Sequence, residues 1–375
     1  MRTAPSLPRQ QRGALLILLV IALGILAATV FVGMLSSSGI QSARDKETAA
    51  ALAEARAALI GYAASDPNRP GELPCPDYDG DGKITLTGDY TGSNCKSYTG
   101  RLPWKSLGLP DLRDGYGEQL WYAVSDTFHA NSTALLNSDV PGQLSIAGTS
   151  PANNVIAIVF APGPALAGQL RDAAHANDPA NYLEGNNALG GNNTDFTTAN
   201  ASSIFNDRLL PITNDSLFQV VEKRVARELV TALQAYALSN SGNYPYAAPL
   251  DGSSPYCLAG NTSGRMPLTD STCPLNTPTW FSVNAWNNFV YYALAPGAPM
   301  LTVGATTNVQ ALIIMAGRRL NKTICAGSPY GPQGARPSAN ICDYLDDTEN
   351  TNGDNTYTNT LITPTYNDQT FIVAP

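Results

Sequence analysis

The stretch AALIGYAASDPNRPGELPCP, residues 57–76, decides the fold, because a second stretch of the same kind, TALQAYALSNSGNYPYAAP, occupies residues 231–249. In both stretches a helical run ends in an aromatic residue followed by alanine, and a polar turn and a Pro-rich loop come next. Asp66-Pro67 stops the first helix near residue 65, since proline cannot continue a helix. The pair predicts two copies of one structural unit.

Further matched segments follow these two stretches in the same order. Each match is short enough to arise by chance, but the preserved order favours an internal repeat. We therefore predict an α+β fold of two tandem modules, each a helix packed on a small antiparallel sheet. The first module covers residues 36–213, with its helix continuing to about residue 65, and the second covers residues 214–375. The matched pairs are GRLPW (100–104) with GRMPL (264–268), YGEQLWYAVS (116–125) with AWNNFVYYALA (285–295), NVIAIVFAPG (154–163) with QALIIMAGR (310–318), NYLEGNN (181–187) with DYLDDTEN (343–350), and FNDRLLPIT (205–213) with YNDQTFIVA (366–374).

The N-terminal region joins a basic leader, residues 1–13, to a long apolar run, residues 14–35. About 22 residues of helix measure about 33 Å, which is enough to cross a bilayer. The sequence therefore predicts a membrane-spanning helix over residues 14–35. Three arginines precede the run, so the positive-inside rule places the N-terminus in the cytoplasm and exports the rest of the chain.

The formal net charge of −8 argues against a nucleic-acid partner, because phosphate binding requires a basic surface. All six cysteines follow the apolar run, and an even number on the exported side favours disulfides. Six cysteines allow fifteen pairings, so the sequence leaves the connectivity open. Loops of similar length favour pairing Cys75 with Cys95, Cys257 with Cys273, and Cys325 with Cys342.

The segment DYDGDGKI, residues 77–84, has the spacing of the first eight positions of an EF-hand calcium loop. It predicts Asp77, Asp79, Asp81 and the carbonyl of Lys83 as ligands of a structural Ca²⁺ ion. The bidentate glutamate of position twelve is replaced by glycine, with Asp89 directly after it. The alternative interpretation is a solvated Asp-Gly turn.

Few residues in the sequence point to catalysis, and we predict that the protein is not an enzyme. The only histidines, His129 and His175, stand in no catalytic motif and are expected to be exposed. Asp111, Asp114 and Glu118 would suit sugar hydrolysis, but DGYG within this segment favours a turn. A hydrolase anchored at the membrane is therefore the less favoured interpretation.

The Arg-Gly junction that leads directly into the apolar run, followed by an exported α+β module, resembles type IV pilins and type II secretion pseudopilins. In that family a prepilin peptidase cuts after the glycine, and the helices pack in the centre of a filament. The resemblance implies that Gly13 precedes the cut and that Ala14 is the mature N-terminus. It also implies three partners: prepilin peptidase, other pilin-like subunits and the inner membrane.

One departure from the family pattern gives a more specific expectation. Pilins usually carry glutamate at the fifth mature position, which is Leu18 here. A subunit without this glutamate suits the tip of a filament, so the predicted function is a minor membrane-anchored subunit for assembly or tip of a type IV pilus or type II secretion filament. The predicted location is the bacterial inner membrane, single-pass, with the bulk periplasmic or on a surface filament. The alternative is a signal-anchored periplasmic or surface protein that binds a ligand or adhesive target without processing.

Overall fold

A six-stranded, largely antiparallel sheet, a four-stranded antiparallel sheet and two long helices make up most of the structure. A computed structural model describes residues 11–321 and 332–375, with side chains described from residue 38 onward. The helices are α1 Gln11–Ser65, α2 Asn214–Ser239, α3 Thr279–Val283 and α4 Thr348–Thr351.

The first sheet is built around β6, whose residues 155–161 are all buried, as expected for a continuous apolar run between two covered faces. Its strand order is β3-β4-β6-β5-β7, with β8 also paired to β6. The strands of the first module are β1 Tyr90–Thr91, β2 Asn94–Cys95, β3 Thr99–Arg101, β4 Trp121–Val124, β5 Leu144–Gly148, β6 Ala152–Ala161, β7 Asp195–Thr198 and β8 Arg208–Thr213.

The second sheet has the order β15-β13-β10-β9, and a small sheet of order β12-β11-β14 lies beside it. Its central strands β10 and β13 are entirely buried. The strands are β9 Ser263–Arg265, β10 Val290–Leu294, β11 Leu301–Val303, β12 Thr306–Val309, β13 Ala311–Met315, β14 Thr356–Tyr357 and β15 Gln369–Ala374.

The segments matched in sequence occupy equivalent strands. β3, β4, β6 and β8 pair antiparallel in that order, and β9, β10, β13 and β15 do the same. A tyrosine in the second strand of each series donates to a proline carbonyl: Tyr122 Oη to Pro74 O at 3.2 Å, and Tyr292 Oη to Pro245 O at 2.9 Å. The two copies thus share both strand order and an internal hydrogen bond.

One hydrophobic core joins the two modules. α2 begins directly after β8, where Thr213 caps it, and it packs against α1, both central sheets and β15. Leu59 of α1 and Val225 and Leu229 of α2 are fully buried in this shared core. The opposite face of each sheet is covered by its own smaller apolar cluster.

The prediction of a membrane-spanning helix is wrong for the structure as described. In residues 11–321 and 332–375, no helix is long and apolar enough to cross a membrane. The side chains of residues 14–35, on which the prediction rests, and the leader residues 1–10 lie outside the described part. From residue 38 onward α1 is amphipathic, with exposed charged residues such as Glu54 and a buried face packed on protein.

Two of the three favoured disulfides are confirmed. Cys75 is bonded to Cys95, and Cys257 to Cys273. Cys325 of the third pair lies outside the described residues. The two confirmed disulfides close loops at comparable places in the two modules.

Truncating α1 within the shared core tests whether this helix holds the first module together. Leu59 is 0% exposed, so Leu59→Ala is expected to lower the free energy of unfolding by about 2–5 kcal/mol. Leu238→Ala in α2, where the leucine is 87% exposed, is the matched control and should change it by less than about 0.5 kcal/mol. Urea denaturation measures both, and equal midpoints for the two variants would contradict the packing described.

Candidate functional site

Three carboxylates gather in the loop that follows the first helix. Asp77, Asp79 and Asp89 each place an oxygen within 4.8 Å of the others. Asp77 is held by the turn, because it accepts hydrogen bonds from Gly80 N and Gly82 N, both at 2.7 Å. Both glycines have positive φ, which lets the chain turn around the carboxylate.

Asp89 fixes the other end of the loop. It accepts hydrogen bonds from Tyr78 N and Thr85 N, both at 2.7 Å, and it is fully buried. Burial raises the pKa of Asp77 to about 6, with the charges of Asp89 and Asp79 adding to the effect against the two backbone hydrogen bonds. The cluster therefore places negative charges close together in a loop that is partly shielded from water.

The structure brings together two of the three predicted carboxylate ligands. Asp77 and Asp79 are in the cluster, whereas Asp81 accepts from Lys83 N at 2.6 Å and its carbonyl accepts from Lys105 Nζ. Asp89 takes the third place. Oxygen donors of this kind suit Ca²⁺, since a carboxylate oxygen that accepts one N–H retains a lone pair for a cation.

A second group of metal-ligating side chains is not available to a metal ion. Cys75, Cys95 and His129 lie together, but the two cysteines form a disulfide. The expectation that His129 is exposed is wrong, because its ring is buried and Nδ1 lies 2.6 Å from Ala130 O. Burial lowers the pKa of His129, which favours a neutral imidazole.

The carboxylates considered for hydrolysis are each engaged by the protein. Asp114 accepts from the backbone N–H of Tyr116 and of Glu118, as expected for a turn, and from Gly163 N at 2.8 Å. Glu118 pairs with Arg171 at 3.0 Å. Asp111 pairs with a neighbouring arginine of its own loop.

Sequence reasoning missed a buried pair of acids in the first module. Glu184 N donates to Asp207 Oδ2 at 2.8 Å, and Asp207 N donates back to Glu184 Oε2 at 3.1 Å. Gln169 Nε2 donates to Glu184 Oε1 at 2.8 Å. The pair ties the loop before β8 to the segment after β6.

The second module repeats this pair. Asp346 N donates to Asp368 Oδ2 at 2.7 Å, Asn367 N donates to Asp346 Oδ2 at 2.7 Å, and Gln333 Nε2 donates to Asp346 Oδ1 at 3.1 Å. These residues stand where the sequence repeat places NYLEGNN against DYLDDTEN and FNDRLLPIT against YNDQTFIVA. The sequence signal that could have revealed these pairs was an acidic residue at the same position in both copies of the repeat.

An arginine completes each network in the same way. Arg171 Nη1 donates to Gly163 O, and Arg336 Nη1 donates to Gly317 O, each at 2.7 Å. Each arginine also donates through Nε to the backbone just before the tyrosine of the repeat. The hydrogen bonds of the arginine to the backbone therefore occur in both modules.

Both acid pairs favour a protonated carboxyl. Burial, and then the charge of Glu184, raises the pKa of Asp207. Burial, and then the charge of Asp346, raises the pKa of Asp368. Two carboxylates this close cannot easily ionise together in a dry environment.

A further buried acid, Glu222 of α2, connects the two modules. Its oxygens accept from Ser138 Oγ of the first module at 2.5 Å and from Gln369 Nε2 of β15 at 2.7 Å. Burial raises the pKa of Glu222 to about 7, although both hydrogen bonds act in the opposite direction.

Comparison of the chain with models of known protein families, with curated proteins and with solved structures finds no match in any of the three.

The raised pKa of Glu222 predicts that stability falls as the pH rises. The folded state binds a proton more tightly than the unfolded state, whose glutamate titrates near 4.5. The stabilisation is therefore complete below about pH 4.5 and lost as the pH passes 7. From this group alone the free energy of unfolding should fall by about 3 kcal/mol over that window.

Glu222→Gln keeps a side chain of the same shape and removes the titration. Urea denaturation between pH 4.5 and 7.5 should show a flatter pH dependence for this variant than for the unmodified chain. Glu54→Gln, at an exposed position on α1, should leave the profile unchanged. Parallel profiles for Glu222→Gln and the unmodified chain would show that Glu222 titrates alike in the folded and unfolded states.

Proposed function

We propose that the chain is a minor, non-enzymatic subunit of a pilin-like filament of the type IV pilus or type II secretion kind. It is exported, is cut after Gly13 by a prepilin peptidase, and joins other pilin-like subunits through its N-terminal helix. The observation that carries the proposal is α1, Gln11–Ser65, which leads out of the first module as a continuous helix.

The packing of α1 supports this role. Its buried face contains Ala51, Ala55 and Ala63, and these small side chains allow close approach to β6, β8 and α2. Because the C-terminal half of this helix is packed on a sheet, the position of its N-terminal residues in a filament would fix the position of the module. This helix-on-sheet unit is what the resemblance to pilins implies.

A place at the filament tip is supported by two features of the chain. Leu18 stands where pilins carry the glutamate that is thought to pair with the N-terminal amine of the neighbouring subunit. The second module adds bulk that shares its core with the first, so it cannot fold away from it. Such a subunit fits the end of a filament better than each layer of its body.

The carboxylate cluster has a structural part in this proposal. A Ca²⁺ ion held by Asp77, Asp79 and Asp89 would relieve the repulsion between the three carboxylates. It would stiffen the loop that the Cys75–Cys95 disulfide already closes.

Processing at the N-terminus is the direct test of the proposal. When the full chain is expressed with a prepilin peptidase, mass spectrometry of the intact protein should show an N-terminus at Ala14. Gly13→Ala should block the cut, because the peptidase of the resembling family requires glycine before the cleaved bond. Gly24→Ala, a glycine further along the same region, should leave cleavage unchanged.

An intact Met1 or Arg2 terminus in the presence of active peptidase would refute this proposal. It would favour the alternative of an unprocessed surface protein that binds a ligand.

Calcium is expected to raise the melting temperature of the full chain relative to chelator by a few degrees, since a ligand bound only by the folded state stabilises it. Asp79→Asn should abolish that rise. Asp81→Asn, in the same loop but outside the gathered set, should retain it. Differential scanning calorimetry measures both.

The same two variants separate three outcomes. If Asp81→Asn also abolishes the rise in melting temperature, Asp81 is a ligand, as the EF-hand spacing predicts. Identical curves in calcium and chelator for the unmodified chain would leave the cluster as a hydrogen-bonded turn without a metal.

A further inference from the structure

A cleft of about 610 Å³ lies in the second module, beside the C-terminal end of α2. One wall is formed by this helix end and the turn after it, and the other by the Cys257–Cys273 disulfide. The end of β10 at Leu294 lies between them. The volume is in the range of sites that hold small molecules.

The walls of the cleft are held in place by contacts outside it. Gly242 N donates to Ala237 O at 2.8 Å, and its φ of 83° lets the chain reverse directly after the helix. Tyr292 Oη, from within the sheet, holds the carbonyl of Pro245 at 2.9 Å. A cleft fixed in this way loses little conformational entropy when a ligand binds.

The lining of the cleft is uncharged and contains both polar and apolar residues. Three tyrosines, Tyr236, Tyr244 and Tyr246, contribute aromatic rings, and side-chain amides come from Asn240, Asn243 and Gln310. Within the described residues, no Asp, Glu, Lys, Arg or His side chain lines it. A charged ligand would find no counter-charge here, so the lining selects a neutral one.

Aromatic side chains pack against the apolar faces of a ligand ring, whereas amides and phenols exchange hydrogen bonds with the hydroxyl groups of the ligand. A ligand that offers apolar C–H faces and many neutral hydroxyls meets both demands. We propose that this cleft binds a neutral carbohydrate, with Tyr246 as a stacking platform and Gln310 as a hydrogen-bonding partner. This binding site goes beyond the proposed filament role and does not depend on it.

A cleft beside the Cys75–Cys95 disulfide of the first module has different chemistry. The cleft there, of about 720 Å³, is lined by both Lys96 and Asp126, and the hydroxyl of its tyrosine, Tyr98, donates to Asp126 at 2.5 Å. The hydroxyl of its tyrosine is already engaged by a carboxylate, and its charged side chains would not favour a neutral ligand over a charged one. The proposal is therefore confined to the second module.

The test is binding of the full chain to a printed array of neutral and anionic glycans, followed by calorimetric titration of the strongest neutral glycan. Tyr246→Ala removes a ring that is 38% exposed, and Gln310→Ala removes an exposed amide. Each should weaken binding at least about tenfold. Tyr116→Ala, a half-buried tyrosine of the first module that lines neither cleft, is the matched control and should bind normally.

Melting curves for all three variants verify folding, and the exposed position of Gln310 keeps the test available if Tyr246→Ala is destabilised. No bound glycan, binding to anionic glycans only, or affinity unchanged in both cleft variants would overturn the proposal. Displacement of the glycan signal by a proline-rich peptide with higher affinity in the same cleft would overturn the assigned ligand class. Cleavage at Gly13 is scored separately, so failure of glycan binding leaves the filament proposal standing.

Discussion

Burial of helix α2 is the constraint on which the rest of the structure depends. The helix starts directly after the last strand of the first module, yet it is the first element of the second. Its apolar residues face α1 and β8 on one side and β13 and β15 on the other. Since apolar surface on both sides must be removed from water, the two modules are bound to a single core. Separating them would expose that core.

A buried acid inside this core lies where the two modules meet on α2. Glu222 has hydrogen-bond donors from both modules, Ser138 and Gln369, so its carboxyl fixes how each module sits on α2. An ionised carboxylate in such a place is costly, whereas a neutral carboxyl with satisfied hydrogen bonds is tolerated. The contact between the modules at Glu222 is therefore expected to weaken as the pH rises and this carboxyl ionises.

The parts of the fold that could be predicted from the sequence are those encoded by local pattern. The order of the matched segments, from GRLPW and GRMPL onward, gave the equivalent strands because the same series of short apolar runs occurs in both halves of the chain. The disulfides Cys75–Cys95 and Cys257–Cys273 followed from loop length and repeat position. In each case the signal is a local pattern that occurs in the same order in both copies.

The candidate site could be predicted only in part, because its members meet through the turn of the chain. Asp77 and Asp79 follow the EF-hand spacing, but Asp89 replaces Asp81 since Tyr78 N and Thr85 N draw its carboxylate inward. The partner acids Glu184 and Asp207 are separated by intervening strand and loop, and no local period connects them. The membrane prediction counted apolar residues in 14–35 alone, and such a count carries no information on what a helix packs against.

Comparison of the two copies separates what the fold requires from what it leaves free. Each acid pair accepts buried backbone N–H groups, and losing either carboxyl would leave those donors without partners, at about 1–3 kcal/mol each. The disulfide-braced clefts carry no such penalty, because their side chains face solvent. This explains why the buried networks around Asp207 and Asp368 share their main hydrogen bonds, while one cleft contains the charged residues Lys96 and Asp126 and the lining of the other is uncharged. In a duplicated module whose buried residues are fixed, the surface residues of one copy can therefore change. The core that this copy shares with the other keeps the fold of both.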